Sequence, residues 1–82
     1  MMTDRHLRAE KARRKQEAAL AAFMEKKAEI DTMLARLQRL SDDHFNAHPD
    51  EINWGHVGTL EHYASLLKRI TDSAFGEGEF AD

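Results

Sequence analysis

No glycine or proline occurs between Asp4 and the step from His48 to Pro49. This segment is rich in Ala, Leu, Glu, Lys, Arg and Gln, which have strong helix propensities. One long first helix, over about residues 4–47, is therefore the simplest interpretation, with Thr3 as a candidate N-cap. Because Pro49 disfavours helical geometry at the preceding residue, an earlier end around 41–43 is the alternative.

An apolar stripe with one charged member runs along the middle of this helix. Its members recur every three or four residues, the spacing of one helix face, and they are Leu20, Phe23, Lys27, Ile30, Leu34 and Leu37. Met24, Met33 and Leu40 widen the stripe. The first helix is therefore expected to pack on more than one neighbour.

The stretch from His48 to Gly58 contains the one proline and the one tryptophan of the chain. An elbow over about residues 48–53 is predicted, with Asn53 as N-cap of a second helix over about residues 54–75; Pro49 is an alternative start. Gly76 should end that helix, and residues 76–82 are expected to form a loose acidic tail.

Two residue types suggest a role for the elbow. Gly55 and Gly58 are expected to let the first helix approach the second closely. Trp54 is expected to cover the end of a helical bundle, with its ring on Leu37 or Leu40. The alternative is that Trp54 lies in an exposed aromatic patch that docks a partner.

The predicted fold is all-α, a helical hairpin of unequal arms. At 1.5 Å per residue the first helix is about twice as long as the second, so half of it has no neighbour within the chain. A second copy is the economical partner, which predicts a homodimer in the form of a four-helix bundle or coiled coil. The alternative is an N-terminal half that is disordered until a different protein binds.

Charge is divided along the chain. Residues 1–15 carry six basic and two acidic side chains, whereas residues 41–82 carry two basic and nine acidic ones. We define the basic arm by Arg5, Arg8, Lys11, Arg14 and Lys15. It is expected to pair with acidic residues of this chain or of a second copy, and the alternatives are nucleic acid or an acidic protein partner.

Several function classes lack their sequence signals. The chain contains no cysteine, no apolar run of about 18 residues and no signal peptide, so a cytoplasmic protein without a membrane span is expected. It contains no glycine-rich phosphate loop and no nucleophile elbow, so neither catalysis nor a cofactor is expected. His44 and His48 have i,i+4 spacing and are weak candidates for metal ligands, because Pro49 opposes the helix that the pair needs.

The sequence thus predicts a non-enzymatic interaction protein, namely a small adaptor, regulator or inhibitor. The candidate partner-binding residues lie in or next to the elbow and are Trp54, Phe45, Asp50, Glu51 and His56. The acidic half is suited to occupy a basic groove that attracts phosphates, for example in a nucleic-acid-guided host defence complex. Nucleic-acid binding through the basic arm and metal binding at the elbow histidines are the alternative functions.

Overall fold

The computed structural model describes residues 4–81 as two α-helices with short 3-10 turns. Helix α1 spans Asp4–Asp42 and helix α2 spans Trp54–Phe75, and the turns lie at His44–Asn46, Pro49–Glu51 and Gly78–Phe80. No strand occurs in this part of the chain, which confirms the all-α prediction. The chain divides into two units between Asp42 and Asp43. The hairpin arrangement and the single domain therefore stay predictions.

Local side-chain pairs and high helix propensity hold α1. Lys27 Nζ lies 2.7 Å from Asp31 Oδ2, and Gln38 Nε2 donates to Asp42 Oδ1 at 2.8 Å. Exposed pairs of this spacing stabilise a helix by about 0.2–0.5 kcal/mol each. The helix ends at Asp42 rather than at the predicted bound of 47, which matches the earlier of the two expected ends. The proposed cap, Thr3, lies outside the described residues.

A left-handed turn terminates α1. His44, Phe45 and Asn46 have φ values of 55°, 54° and 59°, a region that non-glycine residues seldom occupy, although Asn and His tolerate it better than most. The Asn46 N–H donates to Asp43 O at 3.1 Å, and the Ala47 N–H donates to His44 O at 3.0 Å. These hydrogen bonds offset part of the conformational cost. The turn, and not Pro49, therefore ends α1, at Asp42.

Side-chain and glycine caps determine both ends of α2. Asn53 Oδ1 accepts from the Gly55 N–H at 2.8 Å and from the His56 N–H at 3.3 Å, and His56 Nδ1 accepts in return from the Asn53 N–H at 3.0 Å. This reciprocal arrangement is a capping box with His in the place of the usual Glu or Gln. Gly76, at φ 64°, forms the left-handed cap at the other end. The predicted bounds of 54–75 are confirmed.

The segment after α2 is not the loose tail that was predicted. Gly76 and Gly78 both have positive φ, and the Glu77 N–H donates to Asp72 O at 2.8 Å. A Cβ added at Gly78 would lie 2.8 Å from Asp72 Oδ2, so the backbone passes close to that carboxylate. Two left-handed glycines thus turn the chain back, and Phe80 lines one depression with Leu66 and Ile70. Asp82 lies outside the described residues.

None of the residues from 4 to 81 is buried. Leu40, Phe45, Val57 and Asp72 belong to the few that are half-buried. No helix within this range is both long enough and apolar enough to cross a membrane.

Candidate interaction surfaces

The stripe predicted on α1 is an exposed apolar face. Leu20, Phe23, Ile30, Leu34 and Leu37 are each 40–64% exposed. Because α1 turns by about 100° per residue, these side chains lie on one side of the helix. We call this face the α1 seam and include Lys27, which interrupts it with an ammonium group held by Asp31.

Helix α2 also has an exposed apolar face. Leu60, Tyr63, Leu66, Leu67 and Ile70 are 40–62% exposed and recur at helical spacing. At the C-terminal end of this face, α2 and Phe80 form a shallow depression of about 520 Å³, whose other lining residues are Leu66, Arg69, Ile70, Ser73 and Ala74. Each helix therefore has an apolar face that is largely exposed within its own unit, although Phe45 and Phe80 cover part of the α2 face.

The expectation that Gly55 and Gly58 let the first helix approach α2 closely stays a prediction, because α1 belongs to the other unit. Among the described residues, a Cβ added at Gly58 would meet no atom within 4 Å, and one added at Gly55 would meet Asn53 Oδ1 at 3.0 Å. Gly58 precedes Leu60 by two residues and so lies about 200° around the helix from the apolar face. The role of Gly55 is to leave room for the Asn53 cap.

The five elbow residues predicted to bind a partner fall into two groups. Trp54 is 85% exposed, and Asp50 and Glu51 are exposed in the turn just before it. Phe45 instead lies against Tyr63, with ring centroids 6.3 Å apart, and His56 closes the capping box. Trp54 and Glu51 are thus exposed toward a partner, as is Asp50, whose Oδ2 lies 3.8 Å from His48 Nδ1, while Phe45 and His56 have local structural contacts.

A sixth elbow residue was missed by the sequence reasoning. Ile52 lies between the turn and the Asn53 cap and is 50% exposed. An isoleucine between a turn and an N-cap belongs to no helical stripe. That position was the sequence signal by which Ile52 could have been identified. Ile52 and Trp54 are therefore two exposed apolar residues that follow Asp50 and Glu51 closely in sequence.

The candidate metal ligands lack the geometry on which the prediction depended. His44 lies in the left-handed turn beyond α1, so His44 and His48 do not share a helix face. His48 Nδ1 accepts from the Asp50 N–H at 3.2 Å. Across residues 4–81 there is no group of three His, Asp or Glu side chains placed to hold a metal ion.

The basic arm lies along the N-terminal third of α1, and all five of its side chains are exposed. Arg8, Lys11 and Lys15 lie on nearly one face. The His6 ring and Glu10 are paired, with Nε2 and Oε1 3.4 Å apart. Within the described part of α1, no carboxylate forms an ion pair with any residue of the basic arm. The positive charge of the arm is thus exposed and is not neutralised within α1.

Asp72 is the other residue that the sequence reasoning overlooked. Its carboxylate lies 2.6 Å from Lys68 Nζ, and its backbone oxygen accepts from the Gly76 and Glu77 N–H groups. The hydrogen bond and charge of Asp72 raise the pKa of Lys68 above its ordinary value of 10.5. The i,i+4 spacing of Lys68 and Asp72 was the sequence signal. Asp72 organises the end of α2 and the reversal that follows it.

No protein family, curated protein or solved structure shows significant similarity to this chain.

Proposed function

We propose that the protein is a non-enzymatic helical interaction protein, a cytoplasmic adaptor, regulator or inhibitor that works as a homodimer. The observation that carries this proposal is the exposure of an apolar face on each of two well-formed helices. The α1 face is exposed throughout, and the α2 face is covered only in part, by Phe45 and Phe80. A function based on surface contact follows directly from such faces.

Both helices need a partner for their apolar faces in order to be stable. Isolated helices are marginal in water, and most helical stability in proteins comes from packing an amphipathic face. Burying a Leu, Ile, Phe or Met side chain is worth about 1.5–3 kcal/mol. Covering the exposed members of the α1 seam alone supplies several such contributions. Self-association into a coiled coil or four-helix bundle, with each chain folded as a hairpin, provides that cover.

The elbow is the proposed contact for a different protein. Trp54 is nearly fully exposed, and tryptophan is enriched among residues that dominate binding energy. Asp50 and Glu51 stand beside it and favour a partner with a basic surface. A groove that normally attracts phosphates has that character, and a nucleic-acid-handling complex such as a host defence complex offers one.

The test of the elbow is capture of partners from the native cell by the untagged protein, with identification by mass spectrometry. Trp54→Ala should remove a specific partner, because hot-spot truncations weaken binding by about 30-fold or more. Phe75→Ala is the matched control, since Phe75 is also an exposed aromatic residue, 73% accessible, at the far end of α2. Equal capture by the wild type and both variants would refute the role of the elbow.

Nucleic-acid binding is the second candidate, favoured by the outward charge of the basic arm. Replacing Arg8, Lys11 and Lys15 with Gln should weaken binding to all DNA sequences and flatten its salt slope by about 0.9 for each lost phosphate contact. Replacing Lys26, Arg36 and Arg39 is the matched control, because it removes the same charge elsewhere on α1. A lack of DNA binding by the wild type at about 50 mM salt would eliminate this candidate.

A further inference from the structure

We infer that the α1 seam is covered by α1 of a second copy in antiparallel orientation, in one defined register. This inference rests on the proposed self-association and adds its direction and its pairing. The occupant of the exposed face is thus a second copy of this chain. The seam, the distribution of charge and the position of Lys27 each support it.

The spacing of the seam is symmetric about its own midpoint. A two-fold axis that passes between Ala28 and Glu29 places every seam residue of one copy opposite a seam residue of the second copy, as an isologous dimer requires. It sets Leu20 opposite Leu37 of the second copy, and Phe23 opposite Leu34 of the second copy. By symmetry, each of these two pairs occurs twice in the dimer. The exposed leucines and phenylalanine of the seam thereby cover one another.

Charge then selects the antiparallel direction. Residues 4–15 carry six basic and two acidic side chains, net +4. In the antiparallel register they extend past the end of α1 of the second copy, at Asp42, so the two +4 segments lie at opposite ends of the paired helices. A parallel dimer would instead place the two +4 segments side by side. Repulsion between them disfavours the parallel arrangement.

Lys27 supports the same direction. In a parallel dimer it would face Lys27 of the second copy in a shared layer. In the antiparallel register it faces Ile30 of the second copy, and its ammonium stays with Asp31, 2.7 Å away on its own helix. A single lysine in an apolar seam is a known device for fixing register. Its long aliphatic stem can cover Ile30 while the charge remains in water.

Cysteine pairing tests this arrangement, because the natural chain contains no cysteine. Gln16 and Ser41 lie at the two ends of the seam and face each other between copies in the antiparallel register. We expect an equimolar mixture of Gln16→Cys and Ser41→Cys, equilibrated in a glutathione buffer, to form chiefly the mixed disulfide. Neither variant alone should form an intermolecular disulfide above the level of its denatured sample.

The matched control is a mixture of Glu25→Cys and Thr32→Cys. These positions are level with each other in the same register but lie on the outer face of α1, so they should not form a disulfide. If Gln16→Cys or Ser41→Cys instead cross-links chiefly with its own kind, the dimer is parallel, which overturns the inference while leaving self-association intact. No disulfide in any mixture, together with a single-chain mass, would overturn both the inference and the proposed self-association.

Discussion

Gly58 and Gly76 show how the same residue type serves different purposes at two points of α2. Nothing surrounds the missing Cβ of Gly58, whereas Gly76 has a φ of 64° that side chains seldom adopt. We expect Gly58→Ala to raise the free energy of unfolding by about 1 kcal/mol through helix propensity. Gly76→Ala should lower it by about 1 kcal/mol, because it forces a side chain into the left-handed region. Urea unfolding monitored by helicity measures both, and destabilisation by Gly58→Ala would reveal a neighbour packed there.

The structural role of an individual residue was predictable from the sequence where that role depends on local chemistry. The Asn53 cap and the Gly76 terminator were predictable, because each depends only on the residue and its immediate neighbours. The left-handed turn at His44, Phe45 and Asn46 was not, since no glycine marks it. The His56 side of the capping box was missed as well, because the usual partner is Glu or Gln.

At the scale of elements, the C-terminal end of α2 depends on the pair formed by Lys68 and Asp72. Because the pair raises the pKa of Lys68, its stabilising contribution is fully present below the ordinary value of 10.5. The contribution is lost as the pH rises through the raised pKa. We therefore expect α2 to lose helicity on the alkaline side of 10.5.

Circular dichroism from about pH 9 to about pH 12 measures this loss. Asp72→Asn is the control, because it removes the negative charge of the pair and leaves every other titratable side chain unchanged. The alkaline transition should be smaller in the variant. Identical pH profiles for the two proteins would show that the pair does not stabilise this end of α2.

The elements themselves were largely predictable, whereas the chain reversal after α2 was not. Helix propensity located α1, and the two caps located α2 within the predicted bounds. The chain reversal after α2 depends on Asp72, whose backbone and side chain act together at the helix end. The position of the segment after a helix terminator suggested a loose tail, because position alone does not reveal such a contact.

At the scale of the whole molecule, the sequence predicts what each apolar face needs but not what covers it. Periodicity identifies the faces, since one side of a helix repeats every three or four residues. A second helix of this chain, a second copy and a different protein all satisfy the same pattern. The elbow has the same ambiguity, because exposure of Trp54 suits either a bundle end in the dimer or a contact with another protein.

The most direct test of the central claim is the mass in solution, measured by light scattering coupled to size exclusion at micromolar concentration. We expect a mass of twice the chain mass of 9.4 kDa. Leu34→Glu, on the α1 seam, should shift the protein to a single-chain mass, whereas Ala35→Glu, which adds the same charge to the outer face, should not. A wild-type mass of 9.4 kDa, with α1 still helical to its N-terminal end by hydrogen exchange, would contradict the claim that a second copy covers the seam.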